Sequence, residues 1–171
     1  MKKKLLFIAL SLMLCFGLIG CGGSGDSSDA EQDNEVIYGV GDTWEVDGQW
    51  KLTIDSVTVT DQRNEFADTD PAEVIIINYT YENLGYEDST GMMNGLYIDL
   101  DMSQVIDSTG QMCQTYPSIE AVNYAQETPV GATCTAQACF GLSTAGGPVK
   151  IIITEYDGND NEQTATFKLT Y

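Results

Sequence analysis

The sequence predicts an all-β domain, a two-sheet antiparallel sandwich, and three observations carry that reading. From Val36 onward, short runs rich in Val, Ile, Thr and Tyr are broken by Gly, Asp and Asn. No stretch of this region repeats its apolar residues with a 3.6-residue period, so amphipathic helices find no support. Roughly seven or eight strand-like runs follow one another at short, turn-marked intervals, the spacing of a sandwich.

Val40-Gly41-Asp42-Thr43-Trp44 reads as a turn leading into a short first strand. Trp50 to Thr60 reads as the second. Its apolar positions, Leu52 and Ile54 and then Val57 and Val59, change parity, which predicts a bulge near Asp55-Ser56 that returns both pairs to one face. Asp61 to Pro71 is polar and turn-rich, a loop. Glu73 to Glu82 is the strongest strand signal: Ile75, Ile77, Tyr79 and Tyr81 share one face while Val74 and Ile76 load the other. Apolar residues on both faces predict a central strand covered in part on its second face. Leu96 to Leu100 suggests a further strand. Val105-Ile106 meets the turn signal Asp107-Ser108-Thr109-Gly110, with Gln111 to Tyr116 returning as a hairpin. Residues 117–130 read either as a loop or as a short helical turn around Ile119 to Tyr124. Ala132 to Leu142 is a strand with Cys134, Ala136, Ala138 and Phe140 on one parity. Val149 to Tyr156 follows, and a hairpin loop, Asp157 to Glu162, leads to the last strand, with Ala165, Phe167, Leu169 and Tyr171 inward.

Ahead of this domain stands a leader. Lys2, Lys3 and Lys4 precede an almost wholly apolar run, Leu5 to Ile19, the pattern of a secretory signal. As a helix that run would reach roughly 22 Å, short of the roughly 30 Å hydrocarbon core, which disfavours a permanent transmembrane span. Leu18-Ile19-Gly20-Cys21 resembles the lipobox of bacterial lipoproteins. The resemblance implies a signal peptide over residues 1–20, cleavage after Gly20, diacylglyceryl transfer to the Cys21 thiol and acylation of the new amino terminus. Two acyl chains suffice for stable anchoring where one does not. Gly22 to Glu35 carries five acids and no aliphatic side chain larger than Ala30, a composition that cannot bury a core. Residues 21–35 therefore read as an acidic Gly/Ser-containing tether, spanning roughly 20 Å r.m.s., and residues 36–171 as the domain.

Charge narrows the partners. The 171-residue chain has a formal net charge of −19, and loss of residues 1–20, which carry three lysines and no acid, takes it to −22. Lys51, Arg63, Lys150 and Lys168 are then the remaining side-chain cations. Such a chain repels nucleic-acid phosphates and anionic headgroups. It suits cations and basic surfaces, and the same acids keep an exported monomer solvated. There is no histidine, which removes Ser-His and Cys-His pairs, His metal triads and imidazole bases. The expectation is a binding or structural module, not an enzyme. A carboxylate-only hydrolase would need two acids converging at ~5–9 Å, whereas the acids here are scattered.

Cys113, Cys134 and Cys139 are an odd set for an exported domain. Cys134 and Cys139, about 17 Å apart on one strand and of opposite parity, cannot bridge each other. Cys113 with Cys134 is the expected disulfide, provided their strands are neighbours, and three reduced thiols is the alternative. Asp157, Asn159, Asp160 and Glu162 superficially resemble a calcium loop, but the sixth position lacks glycine and the twelfth is Lys168, which excludes an EF-hand. A looser calcium site, helped by Asp68, Asp70 or Glu73, stands against a plain polar turn. Tyr86, Met92, Met93, Tyr97, Tyr116 and Tyr124 crowd the middle of the chain, as a surface patch or as the ends of the core. Gly146-Gly147 is followed by no P-loop lysine, and no cofactor is expected.

Tyr38 to Thr43, Leu52 to Val59, Val74 to Asn83, the Asp107 to Gly110 turn and Val130-Gly131 before the Phe140 strand come in an order that resembles a family of uncharacterised immunoglobulin-like lipoprotein domains. That family is grouped by fold with secreted mycobacterial immunoprotective antigens. The resemblance implies an immunoglobulin-like sandwich and an extracellular binding or structural role, with no catalytic residues to carry over. The resulting expectation is a lipid-anchored module on the extracytoplasmic face of the cell membrane, with a protein, peptide or glycan partner. The alternative is an accessory lipoprotein that binds calcium or a cationic surface.

Overall fold

Eleven residues of alternating pattern, Glu73–Asn83 (β4), run through the middle of the molecule, and the strands assemble around them. The computed structural model describes residues 36–171; the expected signal peptide over residues 1–20, the lipobox-like stretch with Cys21 and the expected acidic tether lie outside the described residues. The other strands in chain order are Ile37–Tyr38 (β1), Thr43–Val46 (β2), Trp50–Thr60 (β3), Gln104–Ile106 (β5), Gln114–Thr115 (β6), Thr133–Leu142 (β7), Val149–Tyr156 (β8) and Glu162–Leu169 (β9). They form a five-stranded sheet, β2-β3-β4-β7-β6, and a four-stranded sheet, β1-β9-β8-β5. The protein is an all-β, two-sheet sandwich. Its pairs are antiparallel save one, since β1 runs parallel to β9. Among the described residues no helix is long and apolar enough to cross a membrane.

The core lies between the sheets because each strand turns one parity inward. Ile75, Ile77, Tyr79 and Tyr81 of β4 meet Ala136, Ala138 and Phe140 of β7, Leu52 and Ile54 of β3, and Val149, Ile151, Ile153, Phe167 and Leu169 of the opposite sheet. Trp50, fully buried, takes the edges of Trp44 and Tyr86, with ring centroids 5.8 and 6.0 Å away. The β3–β4 register shifts between Ile54 and Ser56, where the parity change predicts a bulge. Beyond it Val57 and Val59 pair with Ile77 and Ile75 and so return to the core face, although Val59 has run past the core and is half exposed.

Three expectations need correction. The hairpin over 105–116 forms as expected from Val105 to Cys113, with Asp107 N–H donating to Gln111 O, Ile106 bridging Met112 and Cys113 N–H donating to Val105 O, but beyond it the arms part: β5 joins β8 in one sheet and β6 joins β7 in the other. Each arm is only two or three residues long, so the longer neighbour dictates its sheet. Leu96 to Leu100 is not a strand. Leu96 makes an isolated bridge to Thr128, and Leu100–Met102 forms a 3-10 turn capped by the Asp99 carboxylate. Gly95 precedes that bridge because a Cβ there would come within 2.3 Å of Thr128 O. Tyr171 lies beyond β9, partly exposed, with its hydroxyl donating to Glu73 Oε1 at 2.7 Å.

Candidate functional site

The second face of β4 builds the candidate site. Val74 and Ile76 point away from the main core and form a small separate cluster with Cys139, Tyr116 and Ala121. A segment without regular structure, 117–127, arches over this face. It is not held by a strand ladder. Gln137 on β7 holds it instead: its side-chain oxygen accepts from Val122 N–H (3.0 Å) and Asn123 N–H (3.2 Å), and its main-chain N–H donates to Asn123 O (2.7 Å). The Gln137 amide also donates to Asn78 Oδ1 (2.9 Å), and the Asn78 amide to Ser56 Oγ (3.0 Å). One polar rung thus crosses β3, β4 and β7 and ends in the arch. The 61–67 loop is tied in from the other side. Asn64 N–H donates to the Tyr116 hydroxyl (2.8 Å), Ser118 Oγ to Gln62 Oε1 (3.1 Å), and Thr60 Oγ1 to the Glu120 carboxylate.

Between arch and sheet opens a cleft of about 340 Å³. Tyr116, Ala121 and Cys139 lie at its buried end, Ile119 and Tyr124 line it from the arch, and Asp101 supplies a carboxylate. Ile119 and Tyr124 are 76% and 71% exposed, so they do not fill a core. Phe66, Met102 and Val122, next in sequence to residues of these segments, are exposed as well. Scattered exposed apolar residues are normal, but two of them, Ile119 and Tyr124, line one cleft, as at an interaction surface. A larger hollow of about 510 Å³ lies beside Asp70, Pro71, Met112 and Leu142. It presents no aromatic ring and a single ionisable side chain, and offers a ligand less.

Electrostatics single out Asp101. Although much of the residue is exposed, its carboxyl lies partly desolvated among protein atoms, and that, with the charge of Asp99, raises its pKa. Burial pushes the Cys139 thiol up to about 11, against a hydrogen bond from Ser118 that lowers it, with Asp101 and Glu120 adding to the rise. Cys139 is therefore a neutral thiol and a poor nucleophile. The cleft lining carries one carboxylate, so the paired acids of a carboxylate-only hydrolase are not assembled there.

The residues singled out in the sequence are dispersed. The expected Cys113–Cys134 disulfide is corrected: Cys113, Cys134 and Cys139 are all free. The physical reason is register. β6 pairs Gln114 with Gly141, which brings Cys113 to the Leu142 end of β7, while Cys134 sits at the opposite end, on the order of 25 Å along the strand. Asp157, Asn159, Asp160 and Glu162 do not converge. Asp157 Oδ1 accepts from the Asn159 and Asn161 N–H groups at 2.9 and 3.0 Å, closing a polar turn, and these bonds hold its carboxyl below the usual range. Asp160 accepts from Ser89, and Glu162 from Tyr156. The hairpin touches Gln49 and Glu87 at one end of the sandwich, whereas Asp70 and Glu73 lie at the other. Among the described residues no group of three Asp, Glu or Cys side chains is arranged to hold a metal ion.

The Tyr and Met set divides. Tyr86 packs on Trp50, Met92 is exposed on a loop organised by Asp88, and Tyr97 donates to Asp99. Only Tyr116 and Tyr124 of that set line the cleft. Ile119, Asp101 and Gln137 carry no motif. The available signal was the apolar content of a segment that reads as a loop: Ile119, Ala121, Val122 and Tyr124 stand among Pro117, Ser118 and Asn123.

Neither a protein-family model nor a curated protein matches the chain. Among solved structures it is similar to the yjhA protein from Bacillus subtilis, at 15% identity and a TM-score of 0.55, over 78% of this chain and 99% of that one. A conserved hypothetical protein from Bacillus anthracis aligns with a TM-score of 0.41 at 11% identity, covering 74% of this chain and 94% of the other. The first likeness bears on the fold alone, and it spans nearly the whole length of that protein.

Proposed function

We propose that the chain is a lipid-anchored, extracytoplasmic binding module of the immunoglobulin-like lipoprotein kind, with the cleft under the 117–127 arch as its binding site. The observation that carries the binding half is the placing of exposed Ile119 and Tyr124 on a cleft whose strand wall is Gln137 and Cys139 of β7, a ten-residue strand paired on both sides. Sites held on strands keep their geometry better than sites on free loops. The anchoring half rests on Leu18-Ile19-Gly20-Cys21 behind a basic and apolar leader. Anchored through Cys21, the domain would meet its partner near the membrane surface, where a tether keeps local concentration high. The test is metabolic labelling with a palmitate analogue in cells expressing the full chain or Cys21→Ala. Label on the parent, none on the variant, and release of the variant to the soluble fraction or its retention as a precursor is the expected result. Label that persists in Cys21→Ala overturns the anchor.

A further inference from the structure

We propose that the cleft takes a basic peptide segment, a lysine or arginine head reaching Asp101 while its stem and an apolar neighbour cover Ile119 and Tyr124. This rests on the reading of the cleft as a binding site and names its partner class. Charge is the first argument. The domain has four side-chain cations, and none is spent on Asp101: Lys51 pairs with Glu45 at 3.7 Å, Lys150 and Lys168 stand opposite each other on β8 and β9, and the Arg63 guanidinium donates to the carbonyls of Thr60 and Gln62. Asp101, with Asp99 beside it, keeps a negative charge at a cost that an incoming cation relieves.

Shape is the second argument. An apolar ligand would leave Asp101 desolvated and unpaired, and a small cation would leave Ile119 and Tyr124 bare. A lysine or arginine side chain has an apolar stem and a charged head, and the Tyr124 ring adds cation–π attraction. An extended peptide repeats such side chains and brings main-chain donors and acceptors to a lining that includes Asn64, Thr115 and Ser118. A chain of net charge −19 speeds the encounter of a basic partner and discourages an acidic one.

The experiment uses residues 36–171, which contain both apolar clusters and every described strand. Fluorescence anisotropy would follow three probes: a labelled Lys-Phe-Lys-Ile-Lys-Phe peptide, its Glu-Phe-Glu-Ile-Glu-Phe counterpart, and labelled chitohexaose. The basic peptide should bind, the acidic one should not, and Tyr124→Ala and Asp101→Asn should each weaken binding on the order of tenfold. Both side chains are exposed, and unchanged melting temperatures confirm that each variant folds. Glu162→Gln, in the distant hairpin, should leave affinity unchanged. Equal weakening by Glu162→Gln would mean diffuse attraction and overturn the proposal, as would no binding of the basic peptide. Chitohexaose binding lost in Tyr124→Ala, without peptide binding, overturns the peptide partner while keeping the cleft as the site.

Discussion

At the scale of single residues, burial decides what each ionisable group does. Glu155 on β8 is mostly enclosed, and burial, with the Asp99 charge added, pushes its carboxyl up to about 7 from 4.5. The folded state thus holds a proton that the unfolded chain releases. Its stabilising contribution is complete below pH 4.5 and is lost as pH rises through about 7. Melting between pH 5 and 8 should show stability falling by about 2 kcal/mol, discounted for the solvent that reaches the side chain. Glu155→Gln should flatten that slope. Asp88, Asp107 and Asp157 run the other way, since hydrogen bonds lower their pKa values. What they contribute is present above pH 3.8 and lost on further acidification, outside the Glu155 window. The cysteines are equally readable. Cys113, Cys134 and Cys139 are free, so a denatured, unreduced sample of residues 36–171 should titrate three thiols with Ellman's reagent; burial raises Cys113 and Cys139 to about 11, so in the native state Cys139 should react slowly. A count of one would restore a disulfide.

At the scale of elements, what is legible in the sequence is what local alternation determines. The limits of Trp50–Thr60 and Val149–Tyr156, the bulge after Ile54 and the two-faced character of Glu73–Asn83 all follow from which parity carries apolar side chains. Leu96, Val105 and Gln114 are different: each belongs to an element of one to three residues, and a distant partner, Thr128, Ile151 or Gly141, chooses its place. The disulfide expectation failed for the same reason, because a cysteine's reach depends on register between strands. The cleft was hidden one step further, in the hydrogen bonds of Gln137 to a segment with no ladder of its own. Gln137→Ala should unhook that arch while leaving the main core in place. The expected cost is about 1–2 kcal/mol, with faster amide exchange at Val122 and Asn123 and unchanged protection in β4. Unchanged exchange at Val122 and Asn123 would show that something else holds the arch. By contrast Ile77→Ala, fully buried between the sheets, should cost about 2–5 kcal/mol in a denaturant melt.

At the scale of the molecule, a sandwich carries a surface cleft, and the proposed anchor is Cys21, in the N-terminal leader. Two sheets of four and five strands supply a stiff base, and the covered outer face of the larger one supplies the cleft. On this proposal the acidic segment between Cys21 and Val36 is a tether that protease should cut, while the two-sheet sandwich should resist. Proteinase K added to intact protoplasts or spheroplasts tests this most directly. Membrane anchoring with the domain outside predicts loss of the full-length band, a soluble fragment close to residues 36–171 in the supernatant, and the same fragment with or without lysis. Protection of the chain until the cells are lysed would contradict the account.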